Sequence, residues 1–201
     1  MTDSKQTIAI DIDDVLAANA PAFVAFSNER WGTNLTVDDY VEHWGEFWKV
    51  DADELHRRSE IYHASGVIGR YEHAPEALPV LKHLATKYRL AIVTSRRAVV
   101  SEVTIEWIDR YYKGLFDEIR FAGFYDNQFG VHHTKAEICR DLGAAYLIDD
   151  QLKHCLAAAE AGIDAVLFGE YGWNRQDKLP PRVHRARDWQ AVGKYFDDRA
   201  D

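Results

Sequence analysis

The stretch that decides the fold is IAIDIDDVLA, residues 8–17, which begins as a buried strand and then places three carboxylates within four positions. Apolar residues of this kind are typical of a strand, whereas aspartate is depleted in strands. At this spacing the charges of Asp11, Asp13 and Asp14 repel one another. We therefore expect either a cation beside these carboxylates or a reaction that needs one of them.

The composition indicates a folded chain with a core of ordinary size. The 201 residues are 47% apolar, and the formal net charge is −9 at pH 7. This charge argues against binding a nucleic-acid polymer through a basic face, although a small anion needs only a local positive field. The two cysteines have no CxxC spacing, the N-terminus does not resemble a signal peptide, and no apolar run reaches the roughly 18 residues of a membrane span. We expect a cytoplasmic protein that does not bind membranes, either a monomer or a homodimer.

Five short apolar runs predict strands, and amphipathic segments of helical length separate the later ones. Continuous apolar runs are typical of strands that are buried on both faces of a parallel sheet. Their alternation with helices predicts a doubly wound α/β fold. The predicted strands are residues 7–13, 89–95, 118–122, 145–150 and 164–169, and the predicted helices are residues 75–88, 99–112, 134–143 and 151–162.

One connection is too long for a single crossover helix. The helix predicted at 75–88 already links the first two strands, which leaves residues 16–74 as an insert with helical patterns of its own. Open α/β sheets bind ligands outside the carboxyl ends of their strands. We expect a core formed by residues 1–15 and 75–201, with a small helical cap, residues 16–74, above that edge.

Polar side chains follow three of the predicted strands. Because the carboxyl ends of parallel strands meet at one edge, these groups are expected in one crevice. Carboxylates are ligands that Mg²⁺ prefers, while hydroxyl and ammonium groups donate to phosphoryl oxygens. One carboxylate can attack phosphorus while another moves protons, so the set indicates phosphoryl transfer. Its members are Asp11, Asp13, Thr94, Ser95, Asp149 and Asp150, together with Lys135 at a helix start.

Four short motifs follow one another along the chain: DIDDV at 11–15, IVTS at 92–95, the lysine of HTKAE at 133–137, and LIDD at 147–150. In these motifs and their order, the chain resembles the haloacid dehalogenase-like (HAD) superfamily of phosphohydrolases. The resemblance covers residues 7 to about 170. It implies a Rossmann-like core and a Mg²⁺-dependent phosphatase that hydrolyses a small phosphomonoester through an aspartyl-phosphate.

The resemblance also implies a role for each motif residue. For Ser95 the residues leave two alternatives, a phosphate contact or a helix cap, and Asp150 has a similar ambiguity. The implied roles are Asp11 as nucleophile, Asp13 as general acid and then base, Thr94 and Lys135 as phosphate holders, and Asp11, the Asp13 backbone carbonyl and Asp149 as Mg²⁺ ligands supported by Asp150.

Within the superfamily, the chain looks most like the 5'(3')-deoxyribonucleotidase branch, which has a cap between the first two motifs. The DxDxVLA opening and the paired acids of LIDD support this branch, and the resemblance makes a nucleoside 5'-monophosphate the expected substrate. Asp14 departs from the pattern, because the family more often has glycine there. The extra carboxylate either restricts the turn or adds charge beside the metal.

The insert and the lysine motif contain further candidates. Trp44, Phe47 and Trp48 lie at helical spacing, which is typical of core packing but also suits stacking on a nucleobase. Arg96 is either a substrate contact or an exposed arginine at a helix start. His132 and His133 are not expected to be ligands, because a carboxylate set suits Mg²⁺ better than Zn²⁺. In the segment GEYGWN, 169–174, the aromatic residues either touch substrate or pack as a loop.

Other functions remain open from the residues alone. Phosphatases of other phosphorylated metabolites, a phosphotransferase and a phosphomutase would use the same site. A dehalogenase is disfavoured because Asp13 is present to move protons, and a receiver domain is disfavoured by the long insert. A ligand-binding protein without turnover would not need both Asp11 and Asp13.

Overall fold

A computed structural model describes residues 5–123 and 133–199, and within them six strands form one parallel sheet. The spatial order is β3-β2-β1-β4-β5-β6, with β1 paired to β2 on one side and to β4 on the other. The strands are β1 (Thr7–Ile10), β2 (Arg89–Thr94), β3 (Glu118–Phe121), β4 (Ala144–Asp149), β5 (Asp164–Phe168) and β6 (Val183–Ala186).

Eight α-helices accompany the strands among the described residues. None of these helices has the length and apolar character to cross a membrane. The helices are α1 (Asn19–Trp31), α2 (Trp44–Trp48), α3 (Ala52–Ala64), α4 (Ala77–Lys87), α5 (Ser101–Tyr112), α6 (Lys135–Asp141), α7 (Leu152–Glu160) and α8 (Trp189–Asp197).

The sheet is covered on both faces, which confirms the doubly wound prediction. Ile8 and Ile10 point into a core shared with α4, α5 and α8, while Ala9 points into a second core shared with α6 and α7. All three side chains are fully buried. Burial on both faces explains why the strand sequences are continuous apolar runs instead of alternating ones.

The sequence did not predict the sixth strand or the helix that follows it. β6 is only four residues long and contains His184 and Arg185, so it shows no apolar run. It forms the edge of the sheet beside β5. The first strand is also shorter than predicted, because regular pairing ends at Ile10 and Asp11 makes one further backbone hydrogen bond to Ile148.

The strand order places a crevice where β1 meets β4. Connections from these two neighbours run in opposite directions across the sheet, and ligands of open α/β sheets bind at such a switch point. Asp11 and Asp13 follow β1, and Asp149 ends β4. The topology therefore brings the first and last motifs to the same place.

The long connection between β1 and α4 contains α1, α2 and α3. Within this connection, Phe23 of α1 is fully buried, and four aromatic rings pack around it: Trp44, Phe47, Trp48 and Tyr62. Between α1 and α3 the insert forms only one 3-10 turn, Val37–Asp39, and the short α2, and the backbone of Tyr40 after the turn is extended. The boundaries of a separate cap remain a prediction.

Candidate active site

A buried cluster of three carboxylates and one ammonium lies at the carboxyl ends of β1 and β4. Lys135 Nζ lies 2.9 Å from Asp11 Oδ2 and 2.7 Å from Asp149 Oδ2. Carboxylate oxygens of Asp11, Asp149 and Asp150 all lie within 4.8 Å of one another. The helix cap of Thr134 and Glu137 fixes the start of α6 and so places Lys135 in its first turn.

The two acids of LIDD have different hydrogen-bond partners. Both oxygens of Asp149 are engaged: Oδ1 accepts from the backbone N–H of Gln151 at 2.8 Å, and Oδ2 accepts from Lys135. Asp150 accepts only through Oδ2, from Trp173 Nε1 at 2.6 Å and from the Gln151 side chain at 2.8 Å, among the contacts of the described residues. Within the described part of the chain, Asp150 therefore keeps one oxygen, Oδ1, without a hydrogen-bond donor.

Burial dominates the electrostatics of this cluster. It raises the pKa of Asp11, and Asp149 raises it further, although Lys135 acts in the opposite direction. Burial and the neighbouring Asp149 likewise raise the pKa of Asp150 well above its usual value. For Lys135, burial alone would lower the pKa, but Asp11 and Asp149 raise it, so the ammonium stays charged.

The cluster fits a divalent cation. When all three carboxyl groups are ionised, they and the ammonium leave two negative charges, which one divalent cation would balance. The buried Asp11 Oδ1 has no hydrogen-bond partner among the described residues, so it is free to serve as a ligand or as a nucleophile. Hard carboxylate oxygens suit Mg²⁺. His133 is exposed, and His132 lies outside the described residues.

Asp13 is held by a buried arginine. Arg96 Nη2 lies 2.7 Å from Asp13 Oδ1, and Arg96 Nε lies 3.0 Å from Oδ2, which is a bidentate ion pair. Arg96 Nη1 also donates to Thr104 Oγ1 at 3.0 Å. Arg96 is therefore buried, in contrast to the exposed alternative, and its contact in this structure is an acid of the DxD motif.

The two hydroxyls after β2 differ in position. Thr94 is fully buried, its Oγ1 accepts from the backbone N–H of Arg96 at 3.2 Å, and it does not line the cavity. Ser95 lines the cavity, and its buried Oγ has no hydrogen-bond partner among the described residues. The position of Ser95 suits a phosphate contact, while that of Thr94 suits support of the turn.

The structure shows why aspartate is accommodated at position 14, where the family more often has glycine. Its φ of 57° lies in the left-handed region, which favours glycine, and aspartate is one of the few residues that tolerates this region. Its carboxylate accepts from the backbone N–H of Ala20 at 2.9 Å, in the first turn of α1. Burial raises the pKa of Asp14 to about 7, although this hydrogen bond acts in the opposite direction. The extra carboxylate thus caps α1.

A cavity of about 410 Å³ lies between the acidic cluster and helices α2 and α3. Its size falls within the roughly 300–1,000 Å³ of small-molecule sites. Of the aromatic candidates, only Trp44 lines the cavity. Phe47 and Trp48 are buried around Phe23, and Trp48 Nε1 donates to Ser27 Oγ, which matches the core-packing alternative for these two.

The structure adds a group of cavity residues that sequence reasoning did not single out. Asn19, Tyr40, Tyr62 and Tyr71 line the cavity and are joined by hydrogen bonds between their side chains. They are spread over 53 positions of the insert. Their sequence context carries no motif, so only the folded insert brings them together.

The segment 169–174 packs as a loop and supports the acids. Gly169 has a φ of 75°, and a Cβ there would run into the Tyr171 ring. Tyr171 stacks on Trp173, and its hydroxyl donates to the backbone carbonyl of Asp14 at 2.8 Å. Asn174 Nδ2 donates to the backbone carbonyl of Asp150 at 2.8 Å. The loop therefore connects the turns that carry the first and last motifs.

Comparison with known proteins identifies relatives over nearly the whole chain. The family model described as "5' nucleotidase, deoxy (Pyrimidine), cytosolic type C protein" matches residues 5–196. "Putative nucleotidase YqfW" of Bacillus subtilis (strain 168) is 25% identical over 194 residues, which cover 90% of this chain and 89% of that protein.

Two solved structures show the same fold. The haloacid dehalogenase-like hydrolase SP0104 from Streptococcus pneumoniae has a TM-score of 0.72 at 18% identity, covering 98% of this chain and 100% of that one. The HAD-hydrolase YfnB from Bacillus subtilis, bound to magnesium, has a TM-score of 0.65 at 16% identity, covering 96% and 99%.

Proposed function

Because the chain belongs to the cytosolic type C family of 5' nucleotidases within the HAD-like hydrolases, we propose that it hydrolyses a nucleoside 5'-monophosphate through an aspartyl-phosphate, with Mg²⁺ as its metal. It is a phosphoric monoester hydrolase by family. The family's description supports a cytoplasmic location. A single observation carries the proposed chemistry, the unpartnered oxygen of Asp11 beside the cavity.

Asp11 is the nucleophile in this proposal. Its Oδ2 is held by Lys135, whereas its buried Oδ1 has no partner among the described residues. Because Lys135 holds the carboxylate through Oδ2, the other oxygen, Oδ1, needs little reorganisation before it attacks phosphorus. The P–O bond to the leaving group breaks as the Asp11–phosphorus bond forms, and water then releases phosphate. Lys135 and Ser95 line the same cavity and donate to phosphoryl oxygens.

Asp13 moves protons in both steps. It protonates the leaving oxygen first and then takes a proton from the attacking water. The bidentate contact with Arg96 holds the Asp13 carboxylate in a fixed position for the second step. Acting as an acid requires Asp13 to loosen this ion pair when substrate occupies the cavity.

Asp11 and Asp150 are the side chains best suited to hold the metal. Each has one oxygen without a protein donor among the described residues, whereas both oxygens of Asp149 are occupied. In this proposal Asp149 positions Lys135 and Asp150 holds the metal, whereas the resemblance implies the opposite roles for these two acids; both versions stay predictions. When bound, Mg²⁺ would offset the negative charge of the carboxylates and of the phosphoryl group.

The insert, residues 16–74, is proposed as the cap that selects the leaving group. It supplies the wall of the cavity opposite the acids, including Trp44, Leu55 and Ser59. A ring such as Trp44 can stack on a nucleobase, and a closed cap excludes bulk water from the aspartyl-phosphate. Membership of a 5' nucleotidase family supports a nucleotide as the molecule that binds against this wall of the cavity.

The test is phosphate release from nucleoside monophosphates, sugar phosphates and p-nitrophenyl phosphate, with Mg²⁺ and then with EDTA. We expect nucleoside 5'-monophosphates to be preferred, EDTA to stop release, and Asp11→Asn to abolish it. Asp53→Asn, an exposed acid of α3, is the control and should behave as wild type. Release that survives Asp11→Asn would refute the aspartyl-phosphate, and preference for a sugar phosphate would refute the nucleotide.

A further inference from the structure

A buried chain of hydrogen bonds crosses the wall of the cavity. The hydroxyls of Tyr62 and Tyr71 lie 2.5 Å apart, and the Tyr71 hydroxyl donates to Asn19 Oδ1 at 2.9 Å. Asn19 Nδ2 donates to Asp14 Oδ2 at 3.2 Å and to the Tyr40 hydroxyl at 3.0 Å. The chain therefore runs from α3 through the start of α1 to Asp14 and Tyr40.

Asp14 sets the direction of every hydrogen bond in this chain. Both oxygens of Asp14 accept from the backbone N–H of Ala20, and the amide nitrogen of Asn19 faces Asp14 Oδ2 while its oxygen faces Tyr71. Tyr71 then donates its proton to Asn19, and Tyr62 donates to Tyr71. The two amide protons of Asn19 are used by Asp14 and Tyr40, so Tyr40 is an acceptor within the chain.

This direction leaves the proton of the Tyr40 hydroxyl without an acceptor among the residues that the structure describes. Tyr40 is 5% exposed and lines the cavity. Edge contacts with the Phe23 and Trp173 rings hold its own ring in place. A buried donor without an acceptor is unfavourable, and a bound ligand that accepts from it removes this penalty.

We propose that the Tyr40 hydroxyl is a fixed hydrogen-bond donor to an oxygen of the bound substrate, and that Asp14, acting through Asn19, keeps the proton directed into the cavity. The acceptor is an oxygen of the phosphoryl group or an oxygen of the leaving group. Asp14 and Asn19 are positioning residues, while Tyr40 touches substrate. This inference rests on the proposed function only for the identity of the ester.

The first test is calorimetric binding of inorganic phosphate with Mg²⁺ at pH 8. Tyr40→Phe removes only the hydroxyl, and Tyr146→Phe, which packs on Tyr88 and Phe196 away from the cavity, is the matched control. We expect Tyr40→Phe to weaken phosphate binding about tenfold, as for the loss of one hydrogen bond to a charged acceptor. We expect Tyr146→Phe to match wild type.

A double-mutant cycle tests the direction of the chain. In Asp14→Asn the new amide donates to Asn19 Oδ1, so Asn19 reverses and accepts the Tyr40 proton. Tyr40→Phe should then cost less than twofold on the Asp14→Asn background, against about tenfold on the wild type. An equal loss on both backgrounds would overturn the role of Asp14. Should Tyr40→Phe fail to fold, weaker phosphate binding by Asp14→Asn alone supports the proposal, and tighter binding, expected from charge removal alone, overturns it.

Turnover separates the two acceptors and the two proposals. Weaker phosphate binding by Tyr40→Phe assigns the phosphoryl oxygen. The leaving group is assigned if Tyr40→Phe leaves phosphate binding unchanged but lowers kcat/KM more for a nucleotide than for p-nitrophenyl phosphate, each compared with wild type. If Tyr40→Phe alters neither phosphate binding nor this ratio of kcat/KM values, the inference is overturned. Wild type that binds phosphate but hydrolyses no ester would refute the proposed function while leaving the Tyr40 measurement valid.

Discussion

Lys135 is the residue on which the balance of charge in the acidic cluster depends. Its ammonium is almost completely buried and contacts carboxylates from two different strands, Asp11 after β1 and Asp149 at the end of β4. Removing one partner of a buried ion pair leaves an uncompensated charge, which is more unfavourable than never burying the pair. The lysine thus has a structural role apart from any contact with phosphate.

Lys135→Met should lower the free energy of unfolding by about 3 kcal/mol at pH 8 without metal, measured by urea denaturation. The pKa of Asp11 is already above its ordinary value in the folded state, and losing Lys135 raises it further. A carboxyl that binds protons more tightly when folded loses stability as pH rises, so the variant should be more stable at pH 5 than at pH 8. Lys82→Met, an exposed lysine of α4, should show neither effect. A variant with no loss at pH 8 would contradict this account.

At position 14, the side chain and the backbone make separable contributions. Asp14→Gly removes the cap of α1, which should cost about 1 kcal/mol, while glycine adopts the positive φ freely. Asp14→Ala removes the cap and adds the roughly 1–2 kcal/mol penalty of a left-handed alanine. Chemical denaturation should therefore rank alanine below glycine. The reverse order would mean that φ is not constrained at this turn.

At the scale of elements, the loop after β5 and the helix α7 both connect the insert to the acids. The loop supplies Trp173, whose Nε1 donates to Asp150 and whose ring contacts Tyr40 of the insert. Helix α7 follows the acids of LIDD and supplies Lys153, whose Nζ lies 2.5 Å from Glu42 Oε2 of the insert. Both contacts join segments far apart in sequence. Each therefore couples the geometry of the site to the position of the insert.

Trp173→Phe keeps the stacked ring but removes the hydrogen bond to Asp150. Hydrogen bonds to a metal-binding carboxylate typically contribute 10- to 100-fold to metal affinity, so we expect Mg²⁺ binding to weaken by about tenfold in a calorimetric titration. Trp31→Phe, on α1, should leave the affinity unchanged. Equal affinities for Trp173→Phe and wild type would exclude Asp150 as a ligand held by this loop.

Glu42 makes the attachment of the insert dependent on pH. Burial alone would raise its pKa, but His154 and Lys153 lower it from an ordinary 4.5 to about 2. A depressed carboxyl pKa stabilises the fold above pH 4.5, and this contribution is lost as pH falls towards 2. Glu42→Gln should cost about 1–2 kcal/mol at pH 7, and the difference from wild type should shrink between pH 4.5 and 3. If the difference in unfolding free energy between Glu42→Gln and wild type did not depend on pH, this role of Glu42 would be contradicted. Glu29→Gln, which changes an exposed glutamate of α1, is the control.

At the scale of the whole molecule, the motifs predicted the core better than they predicted the insert. Strands such as RLAIVT are visible because both of their sides are buried, and Asp11, Lys135 and Asp149 converge because parallel strands end at one edge. The edge strand VHRA pairs with only one neighbouring strand, β5, in the described sheet and shows no apolar run. Tyr40 could not be found in this way, because tertiary contacts alone decide which aromatic residues of the insert face the cavity.

Metal binding should stabilise the entire fold. A ligand that binds only the folded chain at 100 times its Kd adds about 2.7 kcal/mol to the free energy of unfolding. We expect Mg²⁺ to raise the Tm of wild type in a calorimetric scan, and Asp150→Asn to lose most of that rise. No shift in wild type at saturating Mg²⁺ would show that the carboxylate cluster is not a metal site.

The position of β1 has a consequence for how the protein is made. Thr7 pairs with Arg89 on one side and with Ala144 on the other, so β1 is synthesised before both of its partner strands and gains its second neighbour only when β4 has been made. Pairings this distant in sequence fold slowly. Until translation reaches β4, the apolar strand β1 lacks its second neighbour in the sheet. Slower synthesis at low temperature, or a chaperone that shields nascent chains, should therefore raise the yield of native protein.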